Sequence, residues 1–396
     1  MPLRRRMISN NFLNPHVSPA DQPKVISGHI NQLDGLRAIA IMMVLWVHTG
    51  GYFLLRDESS SALLNSFVLN GRSGVDLFFV LSGFLITGIL LDTKQRMYYF
   101  PRFYWRRALR IWPVYYVFLC SALILHHRSL SRIGFAPFAL YYRNFLGGDF
   151  ASDIYFGQFW SLCVEEQFYL VWPLIIYFCP KQLRMPLIFV LFFAALFLRT
   201  YLLSHHTDTY LIYRLTYCRM DDLVAGAALA VLIRHNVRPV FLNKLCWSAT
   251  IIGGIGLYFV GRVGSPGYEI RMYTVGLTFF ALLYGGVVGL CARGSGKIAS
   301  ALLSGSFLRA ISKRSYAMYV FHLVPLYAFY KLLANMRLLP LRVPLALLVI
   351  LMIGLITYGM AWLSWRYLES PFLRLKGWEW FAKTPTPVSL DRHPTE

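Results

Sequence analysis

The chain has 396 residues, of which 57% are hydrophobic, 16% aromatic and only 14% charged, with a mean hydropathy of +0.51. Soluble domains carry about 25% charged residues, so a soluble enzyme of ordinary make-up is excluded and a bilayer is the fitting solvent. The net charge of +21 does not argue for nucleic acid, because the basic residues lie mainly in short loops between apolar runs, where they orient membrane helices.

From Met1 to Ile30 the chain is polar and basic, with Arg4, Arg5, Arg6 and Lys24 but no apolar core behind the arginines. It reads as a cytoplasmic tail and not as a cleavable signal peptide. Apolar stretches of roughly 17 to 25 residues then give about ten spans, at 34–54, 74–92, 110–126, 160–179, 185–203, 221–234, 245–262, 271–291, 315–333 and 343–367. With both termini inside, 26 of the 39 basic residues fall in cytoplasmic segments, the bias that the positive-inside rule asks for. The expected organisation is an all-α membrane domain over 31–370, followed by a cytoplasmic tail over 371–396 that is rich in proline and polar groups. The six cysteines are scattered singly and read as small apolar residues. Cys163 and Cys218 form the one pair that outer loops could bring together as a disulfide. The doublets His126-His127 and His205-His206 lack partners at metal-ligand spacing, so no metal is expected.

Ionisable groups inside a bilayer are costly unless they are paired or line a wet cavity. In the first span Arg37 and His48 are eleven residues apart. That is nearly three helical turns, which puts both on one face about 16 Å apart. Asp34 lies one turn from Arg37 on the same side. Imidazole suits proton transfer near neutral pH; the plainer readings are a satisfied structural histidine and a snorkelling arginine. In the second span, Gly74, Gly83 and Gly88 permit close helix approach. Beyond it, Arg106, Arg107 and Arg110 form one cationic helical patch among Phe103, Tyr104, Trp105 and Trp112. The patch reads either as a membrane anchor or as a phosphate site with rings that can stack on adenine. At the mouth of the fourth span Glu165 and Glu166 are adjacent carboxylates that call for a cation or a polar substrate. Arg219 and Asp222, at i and i+3, either pair or bind substrate. Ser315, Tyr316, Tyr319 and His322 are polar intrusions in the ninth span, where His322 is read either as structural or as a site residue.

Taken in order, Leu33-Asp34-Gly35-Leu36-Arg37 with ten residues before His48, Gly74-Val75-Asp76 through Gly83-Phe84, Arg106-Arg107-Ala108-Leu109-Arg110-Ile111-Trp112-Pro113, Trp160-Ser161-Leu162 with Glu165-Glu166-Gln167-Phe168-Tyr169, and Ser315-Tyr316 to His322 resemble the acyltransferase-3 family of membrane O-acyltransferases, from about residue 30 to 370. The resemblance implies a ten-helix membrane domain, in a bacterial inner membrane, that moves an acyl group, usually acetyl from cytoplasmic acetyl-CoA, to a hydroxyl of a carbohydrate or lipid-linked glycan. It implies a catalytic role for Arg37 and His48 and acyl-CoA binding by Arg106, Arg107 and Arg110. Asp34 then sets the local electrostatics, and Glu166 binds acceptor or orients His48. Glu165, Arg219, Asp222 and His322 complete the expected substrate-binding set. Some such proteins carry an extracytoplasmic SGNH hydrolase-like domain after the membrane part. Room for one is not expected here, so transfer would finish in the membrane domain or on a separate protein. A homodimer is left open.

Two other classes fit a polytopic basic protein. A secondary transporter also holds charges at the midplane, but repeated halves are expected of it and none is evident. A glycan polymerase or flippase would carry its arginines in outer loops, whereas the densest cluster here falls on the cytoplasmic side.

Overall fold

The computed structural model describes residues 30–55, 61–125, 134–147, 156–235, 237–261, 267–294 and 296–377. Residues 1–29 of the expected N-terminal tail over 1–30, most of the expected tail over 371–396, and the doublet His126-His127 lie outside the described residues.

Among the described residues the chain is all-helical, without a strand. All ten apolar runs fall on helices, and the longer elements are α1 (Asn31–Phe53), α2 (Ala62–Leu69), α3 (Gly74–Thr93), α4 (Tyr99–Leu125), α5 (Phe159–Phe178), α6 (Arg184–Ser204), α7 (Met220–Arg234), α8 (Pro239–Val260), α9 (Leu277–Ala292), α10 (Ser306–Phe321), α11 (Leu323–Asn335) and α12 (Val343–Ser364). Seven helical segments are long and apolar enough to cross a membrane, or eight if α10 and α11 together form one bent span. The remaining runs fall short for physical reasons. α5 carries Glu165 and Glu166 in its apolar stretch, and α7 has only 15 residues, about 22 Å of helix against a hydrocarbon core of about 30 Å.

α1 is the hub. Ala38, Ile41, Val44 and Leu45 enter the largest core cluster, Leu33, Leu36 and Ala40 enter a second, and Phe53 closes a third. A helix buried on several sides this way cannot be the strip that faces lipid. That role falls to α6, α8 and α12, which expose Phe189, Phe193, Phe197, Ile251, Ile255, Phe259, Leu348, Leu351 and Leu355. In water such a surface would be a liability, whereas hydrocarbon favours it.

α3 and α7 cross in backbone contact. A Cβ on Gly83 would sit 1.8 Å from the Leu223 carbonyl oxygen, and one on Gly226 would sit 2.0 Å from that of Val80. Only glycine fits at either position. The α10–α11 pair bends by 53° at His322, because Pro325 has no N–H to give to the Phe321 carbonyl.

Two buried ion clusters tie α7 to its neighbours. Arg199 donates to both oxygens of Asp221, at 3.0 and 2.6 Å, and to Thr278 Oγ1 at 2.5 Å. Arg219 bridges Asp76 and Asp222, each at 2.8 Å, with its guanidinium among the rings of Phe79, Trp160 and Tyr213. Cys163 and Cys218, the one pair that outer loops could have bridged, are both buried free thiols.

Candidate active site

Two cavities enter the bundle from opposite ends. The first, about 460 Å³, lies toward the N-terminal end of α1, where α3 ends and α4 begins. Seven cations line it: Arg37 from α1, Arg96 and Arg102 from the α3–α4 connection and the start of α4, Arg106, Arg107 and Arg110 from α4, and Lys376 from the turn Leu375–Gly377 beyond α12. Residues 102, 106 and 110 recur every four positions, so one face of α4 presents them together. Against these stand Glu165 and Glu166. Glu165 Oε1 accepts from Ser82 at 2.7 Å, and Ser82 Oγ in turn accepts from Tyr169 at 3.1 Å. Arg107 lies over the Tyr169 ring at 5.3 Å. Lys376 sits beyond the spans, and its pKa is lowered by burial and by the neighbouring Arg110, Arg107 and Arg106. Among the described residues the lining thus carries more cations than carboxylates, a field that attracts anions.

The second cavity, about 250 Å³, lies toward the C-terminal end of α1 and is lined by Val44, Val47, His48, Arg72, Gln158, Trp160, Tyr210, Tyr213, Arg214 and Tyr273. Val75 and Tyr319 line both cavities. They form the partition between them, and Tyr319 is fixed there by a hydrogen bond to the Gln158 carbonyl at 2.9 Å and a short one with Ser161.

His48 lies beside this partition, and its tautomer follows from its neighbours. His322 Nδ1 faces the Tyr319 carbonyl at 2.7 Å. A carbonyl only accepts, so that nitrogen carries the proton and the Nε2 of neutral His322 is an acceptor. It stands 3.1 Å from His48 Nδ1, which also faces the Val44 carbonyl at 2.9 Å. Two acceptors around Nδ1 make it the donor. His48 Nε2 is therefore the basic nitrogen, on a ring that lines the second cavity.

The expected site residues divide accordingly. Arg37, Arg106, Arg107, Arg110, Glu165 and Glu166 meet in the first cavity. Arg37 and His48, although on one helix, belong to different cavities. Asp34 stands behind the lining, 3.3 Å from Arg37 Nη1, and accepts from Ser312 at 3.2 Å. Glu166 lines the first cavity, while the side chain that meets His48 is His322, which is 1% exposed and lines neither cavity. His322 thus stands behind His48, outside both cavities. Arg219 and Asp222 line neither cavity either. Both are fully buried and close on Asp76, because an arginine sealed in the bundle must find its counter-charge there. Sequence reasoning missed Arg96, Arg102 and Lys376, which it counted only as anchoring charge, and most of the second cavity. The one available signal there was Arg72, a cation at the start of an apolar span.

The family described as "Acyltransferase domain" matches residues 30–365. The peptidoglycan O-acetyltransferase OatA of Listeria monocytogenes is 31% identical over 319 residues, covering 74% of this chain and 49% of the relative. The O-acetyltransferase OatA of Staphylococcus aureus (strain NCTC 8325) is 28% identical over 379 residues, covering 89% of this chain and 58% of the relative. The chain therefore spans about half the length of the curated relatives it matches. No solved structure matches. The apolar helices and the matched relatives together make this a multi-pass membrane protein, and the chain belongs to the acyltransferase-3 family of acyltransferase domains.

Proposed function

We propose that the protein is an O-acetyltransferase that takes acetyl from acetyl-CoA on the cytoplasmic side and delivers it to a glycan hydroxyl presented from the other side of the membrane. The observation that carries this reading is the pair of cavities entering from opposite ends and meeting at Val75 and Tyr319, with the basic nitrogen of His48 beside the partition. Two relatives are named O-acetyltransferases, one of them for peptidoglycan, which supports acetyl as the group and a glycan as the acceptor. The surplus of basic residues at the N-terminal end of α1 supports cytoplasmic termini and a cytoplasmic mouth for the first cavity. It also supports a count of about ten spans in a bacterial inner membrane, α5 and α7 being sheltered by their neighbours.

In this reading the CoA phosphates rest on Arg102, Arg106, Arg107 and Arg110, and the pantetheine arm runs between α3, α5 and α10 until the thioester reaches the Tyr319 partition. His48 Nε2 takes the proton of the acceptor hydroxyl as its oxygen attacks the thioester carbonyl carbon. The C–S bond breaks, the CoA thiolate recovers the proton from His48, and the products are the acetyl ester and free CoA. His322 holds His48 in the tautomer that this requires.

The direct test is sided. Protein reconstituted in one orientation in proteoliposomes receives radiolabelled acetyl-CoA on the side of the first cavity and glycan fragments on the other. Label on the glycan, with acetyl-CoA excluded from that compartment, is the expected result. Label that appears only when donor and acceptor share a compartment would overturn the transmembrane reading.

A further inference from the structure

The second cavity carries information about the acceptor that the transfer chemistry does not require. Among the described residues no carboxylate lines it, yet Arg72 does. Arg72 donates from Nε to the Leu69 carbonyl at 3.1 Å and from Nη1 to Tyr273 Oη at 3.0 Å, so it is held by neutral acceptors only. Arg214 Nε donates to the Tyr210 carbonyl at 2.9 Å. Rings form the rest of the wall, Trp160 packing on Tyr213 at 4.8 Å and Tyr213 on Tyr273 at 5.4 Å. At about 250 Å³ the space is below the roughly 300–1,000 Å³ of sites that engulf a drug-sized ligand, which fits one sugar ring and not an oligosaccharide. Aromatic faces suit the C–H faces of a pyranose, and an arginine fork without an acid partner suits a carboxylate or a phosphate.

We propose that this cavity is the acceptor site and that it selects a sugar bearing an anionic group, with Arg72 as the anion contact and the acylated hydroxyl turned toward His48. The proposal rests on the transfer reading above and deepens it by naming the acceptor class. A neutral hexose would leave the charge of Arg72 uncompensated in a largely apolar surround.

Protection from alkylation tests it without requiring turnover. Val47 lines the cavity, so Val47→Cys, in the full chain with Cys120 and Cys179 replaced by serine, is treated in spheroplasts with a membrane-impermeant maleimide. Glucose, glucuronate, glucose 1-phosphate and inorganic phosphate are added in parallel at equal ionic strength. Slowing of about tenfold by glucuronate or glucose 1-phosphate, with little slowing by glucose or phosphate, is expected. Protection by glucuronate alone identifies a carboxylated glycan, and by glucose 1-phosphate alone a phosphate-linked one. Arg72→Gln should abolish the protection and Arg72→Lys should restore part of it. Equal protection by glucose, protection by phosphate alone, no protection, or no labelling at all overturns the proposal. A rise in melting temperature with acetyl-CoA, measured on the same protein, shows separately whether the donor reading stands.

Discussion

His322 Nε2 stands 3.1 Å from His48 Nδ1, across 274 residues of sequence. The helix pair carrying His322 breaks there by 53°, at the point where the imidazole meets His48 of α1. Many proton-transfer histidines are backed by a carboxylate. A neutral imidazole fixes the same tautomer with no second buried charge, which in a bilayer would cost several kcal/mol. In the proposed reaction the arrangement would direct His48 as a base without a second buried charge.

From this follows a prediction for His322. His322→Ala should lower the turnover rate by about 10²-fold, since a mis-set base forfeits much of what general-base catalysis supplies. The KM for acetyl-CoA should not change, because His322 lines neither cavity. His322→Gln, whose carbonyl can still accept from His48 Nδ1, should recover part of the rate. Steady-state kinetics on the three proteins check the split between turnover and KM.

The arginines of the first cavity give a second prediction. Replacing Arg106, Arg107 and Arg110 by lysine keeps the charge, so insertion and orientation should survive. Ammonium lacks the planar fork, so the KM for acetyl-CoA should rise by about tenfold or more while the turnover rate changes little. An unchanged titration with acetyl-CoA would make these arginines anchors.

Lys376 supplies a prediction in pH. Burial and the nearby Arg110, Arg107 and Arg106 lower its pKa, and a bound phosphate would raise it again. Donor binding should then be accompanied by proton uptake at alkaline pH, and affinity should fall as pH rises through the lowered pKa. Calorimetry in two buffers of different ionisation enthalpy measures the uptake, which Lys376→Met should remove.

Much of the fold was legible in the sequence because bilayer thickness imposes run length, and each apolar run became a helix. What hydropathy could not tell was which neighbour covers each helix. α7 looks like a short span, yet it is closed off by Arg199–Asp221 and by Arg219 with Asp76, a partner 143 residues away. An arginine beside two aspartates reads alike whether it faces a substrate or another helix, and this is why Arg219 and Asp222 were expected in the site. The α4 arginines were legible because their spacing is local. The second cavity was not, since Arg72, Trp160, Tyr213 and Tyr273 come from four distant segments.

That structural placement can be tested. Asp222→Asn should weaken the pairing of a buried arginine and destabilise the protein by about 3 kcal/mol, seen as a lower melting temperature in detergent. The KM for acetyl-CoA and for acceptor should stay at parental values in protein that remains folded.

The most direct measurement on the central claim is made on His48→Ala, in the membrane-reconstituted protein, by following acetyl-CoA binding and acetyl transfer side by side. Because His48 lines the second cavity and not the first, donor binding should match the parent while transfer to the glycan falls by about 10³-fold or more. Transfer at the parental rate, or loss of donor binding together with transfer, would contradict a base set at the junction of two cavities.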